Sequence, residues 1–181
     1  VEALECWITR DQRPERSEDW LNGLLRRKTV PTRRLFTGEP QHPLLSQLCH
    51  SIARADEIDL AVSFVQASGL RLLRPDLHDA LARQATESRP PARVRILTSD
   101  YLDITDPNAL RLLMLLQEQG AQVRIFESGG RSFHLKAYLF THFPDASALH
   151  GTVFIGSSNI SRPALTDGLE WNYRVDYPGD D

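Results

Sequence analysis

Apolar residues in the first two thirds of the chain alternate between short continuous runs and longer stretches with helical spacing. The runs at residues 57–64, 94–97 and 123–126 are typical of buried strands. A leucine-rich stretch with helical spacing lies between Asp106 and Gly120; Asp-Pro predicts the start of that helix and glycine its end. Strands that alternate with helices predict a parallel sheet with helices on its faces.

Three further helices are predicted upstream. Ser17 is expected to cap a short helix, and Pro43 at a first helical position opens another one through Ile52. A third helical segment begins near Gly69, breaks or bends at Pro75, and then resumes.

Strands follow one another more closely in the last third of the chain. They are predicted at 133–140, 152–155 and 170–175, with one helical turn at 161–165 before the last. This spacing indicates a hairpin-like, mixed continuation of the sheet. We therefore predict an α/β fold with a mixed, largely parallel sheet flanked by helices on both faces.

A chain of 181 residues fits one domain with a single core. We predict an N-terminal extension over residues 1–40, which includes a basic, exposed connection at 26–34, and a core over residues 41–177. The chain begins without methionine and stops abruptly at Asp181. Both ends are expected to be cuts within a longer protein.

The composition, with 41% hydrophobic and 25% charged residues, is that of a soluble globular protein. We find no transmembrane run and no signal peptide, and therefore expect no membrane partner. The two cysteines, Cys6 and Cys49, suggest neither a zinc site nor a disulfide framework, so a reducing cytoplasm is expected. A net charge of −3 leaves any contact with a polyanion to a local patch.

Candidate chemistry centres on His134 and Lys136. Residues two apart in a strand share one face and lie about 6.5 Å from each other. Lysine is rare in this chain, and an ammonium inside an apolar strand suits a phosphate oxygen as a point charge. A small polar loop, Gly156-Ser-Ser-Asn159, ends the next apolar run. A nucleophile, a cation and hydrogen-bond donors together predict a phosphoryl site.

These residues, followed by Glu170, resemble the HKD motif of the phospholipase D superfamily. The stretches 97–106 and 168–172 also resemble the nuclease-like module at the N-terminus of some superfamily 2 helicases. The resemblance implies a phosphodiesterase that needs no metal and no other cofactor.

The same resemblance implies a role for each site residue. His134 would attack phosphorus and form a covalent phosphohistidine, while Lys136 and Asn159 would hold the non-bridging oxygens. Glu170 would orient the imidazole. The remaining candidates for binding the substrate phosphates are Ser157, Ser158, Arg131 and Arg162.

The family completes its site with a second histidine from a second copy of the motif, and this chain has one copy. A two-fold homodimer with the active site at its interface is the simplest completion. Nucleic acid is the expected substrate, with DNA favoured over RNA. The domain is expected to serve a larger helicase or restriction-type protein.

The chain departs from the family at Thr141, where an aspartate is expected. If that acid is essential, the domain is a catalytically degenerate module that binds phosphate or nucleic acid. Asp145 is a possible substitute, and the sequence leaves this open.

Simpler interpretations also stand. His134 and Lys136 are compatible with the solvated face of an edge strand, and Gly156-Ser-Ser-Asn159 with an ordinary turn. A metal site with His142 and His150 is disfavoured, because no cysteine or acidic cluster completes it. A phosphodiesterase acting on lipids or small molecules is the third functional alternative.

Overall fold

The computed structural model of the chain describes residues 33–37, 43–84, 90–145 and 148–178. The helix predicted after Ser17 lies outside these residues. The strands are β1 (Arg33–Phe36), β2 (Glu57–Val62), β3 (Arg93–Ser99), β4 (Gln122–Phe126), β5 (Lys136–Asp145), β6 (Ala148–Gly156) and β7 (Asn172–Tyr177). The helices are α1 (Leu44–Arg54), α2 (Ala67–Ala82), α3 (Pro107–Glu118) and α4 (Arg162–Leu165), with a 3₁₀ turn at Tyr101–Asp103.

The strands form one sheet in the order β1-β7-β6-β5-β2-β3-β4. Strands β2, β3 and β4 are parallel, and all other neighbours are antiparallel. The predicted mixed α/β sheet is confirmed, although its parallel part is limited to three strands. The reason is that β5 and β6 form a hairpin, which needs no crossover helix.

One face of the sheet carries the main core. Ile58, Leu60 and Val62 alternate toward this face from β2 and pack against apolar residues of all four described helices. The helices were expected on both faces, but the described ones lie on this face alone. Right-handed crossovers that advance in one direction, β2 to β3 to β4, place their helices on the same side.

A smaller cluster lies on the second face. It consists of Ala61, Leu97 and Phe133, against which Tyr101 and Phe126 pack. The segment between β4 and β5 therefore covers this end of the sheet, where its phenylalanine stacks on Phe126 with ring centroids 4.9 Å apart. This packing fixes the approach of the chain to His134, the next residue.

Several predicted boundaries need correction. Helix α2 continues through Pro75, because Leu73 and Leu77 on either side of it are fully buried and hold the helix against the core. Pro43 is the N-cap of α1 rather than its first helical residue. The last residues of the basic connection predicted at 26–34 belong to strand β1 (Arg33–Phe36), which pairs with β7. The predicted cap and stop of α3 are confirmed: Asp106 accepts a hydrogen bond from the backbone of Asn108 at 2.8 Å, and Gly120 has φ +108°.

Gly69 allows α2 to approach the chain that follows β6. A Cβ atom at this position would lie 2.5 Å from the backbone nitrogen of Ser161 and 2.6 Å from the carbonyl carbon of Ile160. Backbone atoms cannot yield as a flexible side chain does, so glycine is required here despite its cost within a helix.

We expect Gly69→Ala to lower the free energy of unfolding by about 1–3 kcal/mol, because the added methyl group forces the helix away from the loop. Urea denaturation measures this change. Arg71→Ala, on the exposed side of the same helix, is the matched control and should change it little. A Gly69→Ala protein at least as stable as the wild type would contradict the close approach.

Candidate active site

His134 and Lys136 meet at the start of β5. The strand begins at Lys136, not at Phe133 as predicted, so His134 lies in the irregular segment just before it. The Lys136 Nζ atom is nevertheless 2.9 Å from His134 Nδ1 and 3.1 Å from the His134 carbonyl oxygen. The imidazole is exposed, whereas the lysine is only 6% exposed. An exposed imidazole therefore lies directly against a buried ammonium.

The third partner of the Lys136 ammonium is the hydroxyl oxygen of Ser63, at 3.0 Å. None of these three partners is a carboxylate. Burial lowers the pKa of Lys136, and the nearby negative charge of Glu170 acts in the opposite direction. A desolvated ammonium without a directly bonded carboxylate is a good site for an incoming anion.

Asn159 is held in place by the chain that follows β2. Its Oδ1 atom accepts a hydrogen bond from the Phe64 backbone at 3.2 Å, and Ile160 forms a parallel bridge with Val65. The serine bonded to Lys136 directly precedes this segment. Because the carbonyl oxygen of the side chain is engaged, the amide nitrogen of Asn159 remains as a donor toward a ligand.

Ser157 and Glu170 form the outer side of the site. The Ser157 hydroxyl donates a hydrogen bond to the Glu170 carboxylate and accepts one from the Trp171 backbone at 3.0 Å. The Ser157 backbone donates to the Trp171 carbonyl oxygen at 2.9 Å. In the described structure Glu170 is thus hydrogen-bonded to Ser157, not to His134 as the sequence led us to expect.

Ser158 faces the interior rather than the site. Its fully buried hydroxyl donates to the Ala164 carbonyl oxygen at 3.1 Å and accepts from the Asn172 side chain at 2.9 Å. Its own carbonyl oxygen accepts from the Tyr138 hydroxyl at 2.9 Å. The prediction that Ser158 binds a substrate phosphate is therefore wrong, because both capacities of its hydroxyl are used within the core.

The family follows from comparison with known proteins. Residues 48–179 match the family model described as cardiolipin synthase, PLD-like domain. This chain belongs to the phospholipase D-like family. No curated protein is similar enough in sequence to match it.

Solved structures share the phospholipase D-like fold. NucT from Helicobacter pylori is 16% identical, with a TM-score of 0.57 over 81% of this chain and 86% of its own. The phospholipase D family member Nuc from Salmonella typhimurium is 17% identical, with a TM-score of 0.53 over 80% of this chain and 82% of its own. Polyphosphate kinase from Porphyromonas gingivalis is 15% identical, with a TM-score of 0.54 over 80% of this chain and 23% of its own.

The two predicted substrate arginines are exposed and lie at the margins of the described site. The Arg131 guanidinium lies over the Phe126 ring, 5.6 Å from its centroid. Arg162 is the first residue of α4, and its backbone nitrogen donates to the Ser68 hydroxyl at 3.4 Å. No recorded contact joins either guanidinium to His134 or Lys136.

Three residues of the phospholipase D-like site were missed by the sequence analysis. Ser63 binds the ammonium, Tyr101 lies edge-on to the His134 ring with centroids 6.4 Å apart, and buried Asn172 holds the polar loop from behind. Ser63 directly follows β2, and Tyr101 lies two residues after its parallel neighbour β3. Functional residues of parallel sheets are commonly found at these strand ends. Their position after two predicted parallel strands was the sequence signal that could have identified these two residues.

The simpler interpretations can now be compared with the structure. Strand β5 lies inside the sheet between β2 and β6, so the edge-strand interpretation of His134 and Lys136 is wrong. His142 and His150 lie at the other end of β5, with ring centroids 6.4 Å apart, and the first contacts Asp56 at 2.7 Å. Within the described ranges, no group of three or more His, Cys, Asp or Glu residues is arranged to hold a metal ion.

Thr141, the departure from the family motif, is also remote from the site. It lies five residues along β5 from Lys136, which corresponds to about 16 Å. Its carbonyl oxygen accepts a hydrogen bond from the Asp56 backbone at 2.7 Å, and it pairs with Glu57 across the sheet. Asp145 lies farther along the same strand. Neither position is within contact of a phosphate held at Lys136.

We expect Lys136→Met to abolish anion binding without unfolding the protein, because methionine fills a similar volume without the buried charge. At a phosphate concentration a hundred times its Kd, the wild type should gain about 2.7 kcal/mol of stability. The variant should gain none, as measured by thermal unfolding with and without inorganic phosphate. Arg124→Met, which removes an exposed cation on β4, should retain the gain; equal gains in all three proteins would contradict the site.

Proposed function

We propose that this phospholipase D-like chain hydrolyses phosphodiester bonds in nucleic acid, with DNA favoured over RNA, through a covalent intermediate on His134 and without a metal ion. The contact between the exposed imidazole and the buried ammonium supports this proposal, with 2.9 Å between Nδ1 and Nζ. An ammonium only donates, so the Nδ1 atom of the imidazole accepts this hydrogen bond with its in-plane electron pair, and the pair becomes free when the ammonium turns to a phosphate oxygen. A nucleophile needs that electron pair.

The first step forms one bond and breaks another. A His134 ring nitrogen attacks phosphorus, a P–N bond forms, and the P–O bond to the leaving strand breaks. The Lys136 ammonium moves its hydrogen bond from the imidazole to a non-bridging oxygen, and the Asn159 amide nitrogen donates to the same group. Water then attacks phosphorus, the P–N bond breaks, and the free imidazole is restored. The proton lost by the water passes to the group that protonated the leaving oxygen in the first step.

Glu170 acts through Ser157 in this proposal. Its carboxylate binds the Ser157 hydroxyl, which in turn accepts from the Trp171 backbone. This arrangement fixes the outer edge of the phosphate site, while the negative charge of Glu170 favours the charged form of Lys136. Arg131 and Arg162 are exposed and would contact neighbouring phosphates of a longer substrate.

The leaving oxygen requires a proton, and we propose that a second copy of the chain supplies it from its own His134. The other described histidines do not lie in this site: His78 contacts Asp79 on α2, and three others line a cavity of about 250 Å³ at the far end of β5. The site would therefore be completed at the interface of a two-fold homodimer.

Nucleic acid is preferred as the substrate on the resemblance of residues 97–106 and 168–172 to a helicase-associated nuclease module. The same resemblance leads us to propose a role within a cytoplasmic helicase or restriction-type protein. None of the described helices has the length and apolar character needed to cross a membrane. The family model carries the name of a cardiolipin synthase, so phospholipid is included as a competing substrate in the test.

We expect the wild type to cleave DNA in excess EDTA and His134→Ala to be slower by at least a thousandfold, because the variant has no nucleophile. His78→Ala, an exposed histidine on α2, is the matched control and should keep wild-type rates. Product release from labelled DNA, RNA and phospholipid micelles measures the activity. Cleavage that disappears with EDTA, or turnover of the micelles alone, would contradict the proposal.

The alternative is a degenerate module that binds phosphate without turnover, and Thr141 was its motivation. Because Thr141 lies about 16 Å from the site, we expect Thr141→Asp to leave turnover within about twofold of the wild type. The new carboxylate would face Glu57 and lie near Asp56, so stability should fall. Thr141→Asn is the neutral control. A rise in turnover of tenfold or more would show that the missing aspartate limits activity.

A further inference from the structure

A row of large apolar side chains lies exposed on the second face of the sheet. Leu35, Tyr173 and Ile155 are register partners across β1, β7 and β6, and they are 54%, 40% and 58% exposed. Trp171, two residues before Tyr173, is 70% exposed. Asn172 between them points inward to Ser158, so both aromatic rings project to the outside.

Trp171 is attached to the phosphate site through its backbone. Its nitrogen donates to the Ser157 hydroxyl at 3.0 Å, and its carbonyl oxygen accepts from the Ser157 backbone at 2.9 Å. Gly156 keeps this contact close, because a Cβ there would lie 2.0 Å from the Trp171 carbonyl oxygen. The backbone of Trp171 is therefore held close to the polar loop, and the exposed indole projects from this position.

We propose that Trp171, with Tyr173 behind it, is a stacking platform for an unpaired nucleobase next to the scissile phosphate, so that the enzyme selects single-stranded nucleic acid. This inference rests on the proposed function. In a nucleotide, one sugar joins the base to its phosphate. The base that flanks a phosphate bound at the polar loop would therefore lie beside this loop, within reach of the Trp171 ring. Aromatic rings accept any base, because every base has a π-face.

The stacking platform would also produce the preference for single-stranded over double-stranded nucleic acid. In a duplex both faces of a base are covered by its neighbours, and a flat indole gains no contact with it. The neighbouring exposed residues, Ile155 and Leu35, are apolar and present no donor or acceptor to a base edge. Selection is therefore for unpaired bases and not for a particular sequence.

The test is a cycle of two changes, one in the protein and one in the ligand. Fluorescence anisotropy measures Kd for a labelled dodecathymidylate and for a strand of equal length whose bases are replaced by abasic tetrahydrofuran units. Every protein in this cycle, the wild-type reference included, also carries His134→Ala so that the ligand is not cleaved. Trp171→Ala should weaken binding of the thymidylate roughly five- to 150-fold, the range for loss of one stacked base. The same substitution should cost much less with the abasic strand. Trp171→Phe should restore most of the affinity.

Met114→Ala, which removes an exposed apolar side chain on α3, is the matched control and should bind both strands as the wild type does. The wild type should prefer the thymidylate over a blunt duplex, and Trp171→Ala should lose this preference. Since the assay measures binding, it gives an answer even if the wild type hydrolyses nothing.

Equal losses on thymidylate and abasic strands would overturn the inference. So would wild-type affinity of Trp171→Ala for the thymidylate. A third contrary outcome is a change of molar mass in light scattering together with uniform loss of binding. That result would assign the exposed row to an interface between two copies of the chain.

Discussion

The buried ammonium of Lys136 is the constraint on which the site depends. It lies at the first position of β5, 6% exposed, and its recorded partners are a hydroxyl, a carbonyl oxygen and an imidazole nitrogen. Burial without a directly bonded carboxylate lowers the pKa of this lysine and leaves its charge incompletely compensated. A bound phosphate would supply that compensation. The imidazole of His134, which now accepts from the ammonium, would then be released toward phosphorus.

The topology of the sheet produces this arrangement. Because β5 runs antiparallel to β2, the start of one lies beside the end of the other, and Val62 pairs with Lys136. Ser63 and Phe64, which follow β2, then bind the lysine and Asn159 respectively. The parallel strands deliver the polar residues at their carboxyl ends, as is common in α/β proteins. The hairpin of β5 and β6 brings the proposed nucleophile His134, Lys136 and Asn159 to the same end of the strands.

The sequence was sufficient to predict the α/β class and the main helices, because short-range periodicity and capping encode these features. The spacing of two residues between His134 and Lys136 also predicted their proximity, although His134 precedes the strand. It was insufficient for features that depend on contacts between residues far apart in the sequence. Strand β1 (Arg33–Phe36) is formed by pairing with β7. Helix α2 continues through Pro75 because the leucines on both sides of the proline are buried. Ser158 was taken for a phosphate ligand because spacing does not reveal that Asn172 and Ala164 use its hydroxyl. Glu170 was expected to bind His134, and its pairing with Ser157 depends on the exact path of the chain before β7.

A chemical quench tests the central claim most directly. The wild type is mixed with DNA labelled at its phosphates, stopped by denaturation during turnover, and digested for mass spectrometry. Phosphate or a phosphorylated strand should be found on His134, in a linkage that survives base and is cleaved by acid. Product formation with no adduct on His134, or an adduct on another residue, would contradict covalent catalysis at this site.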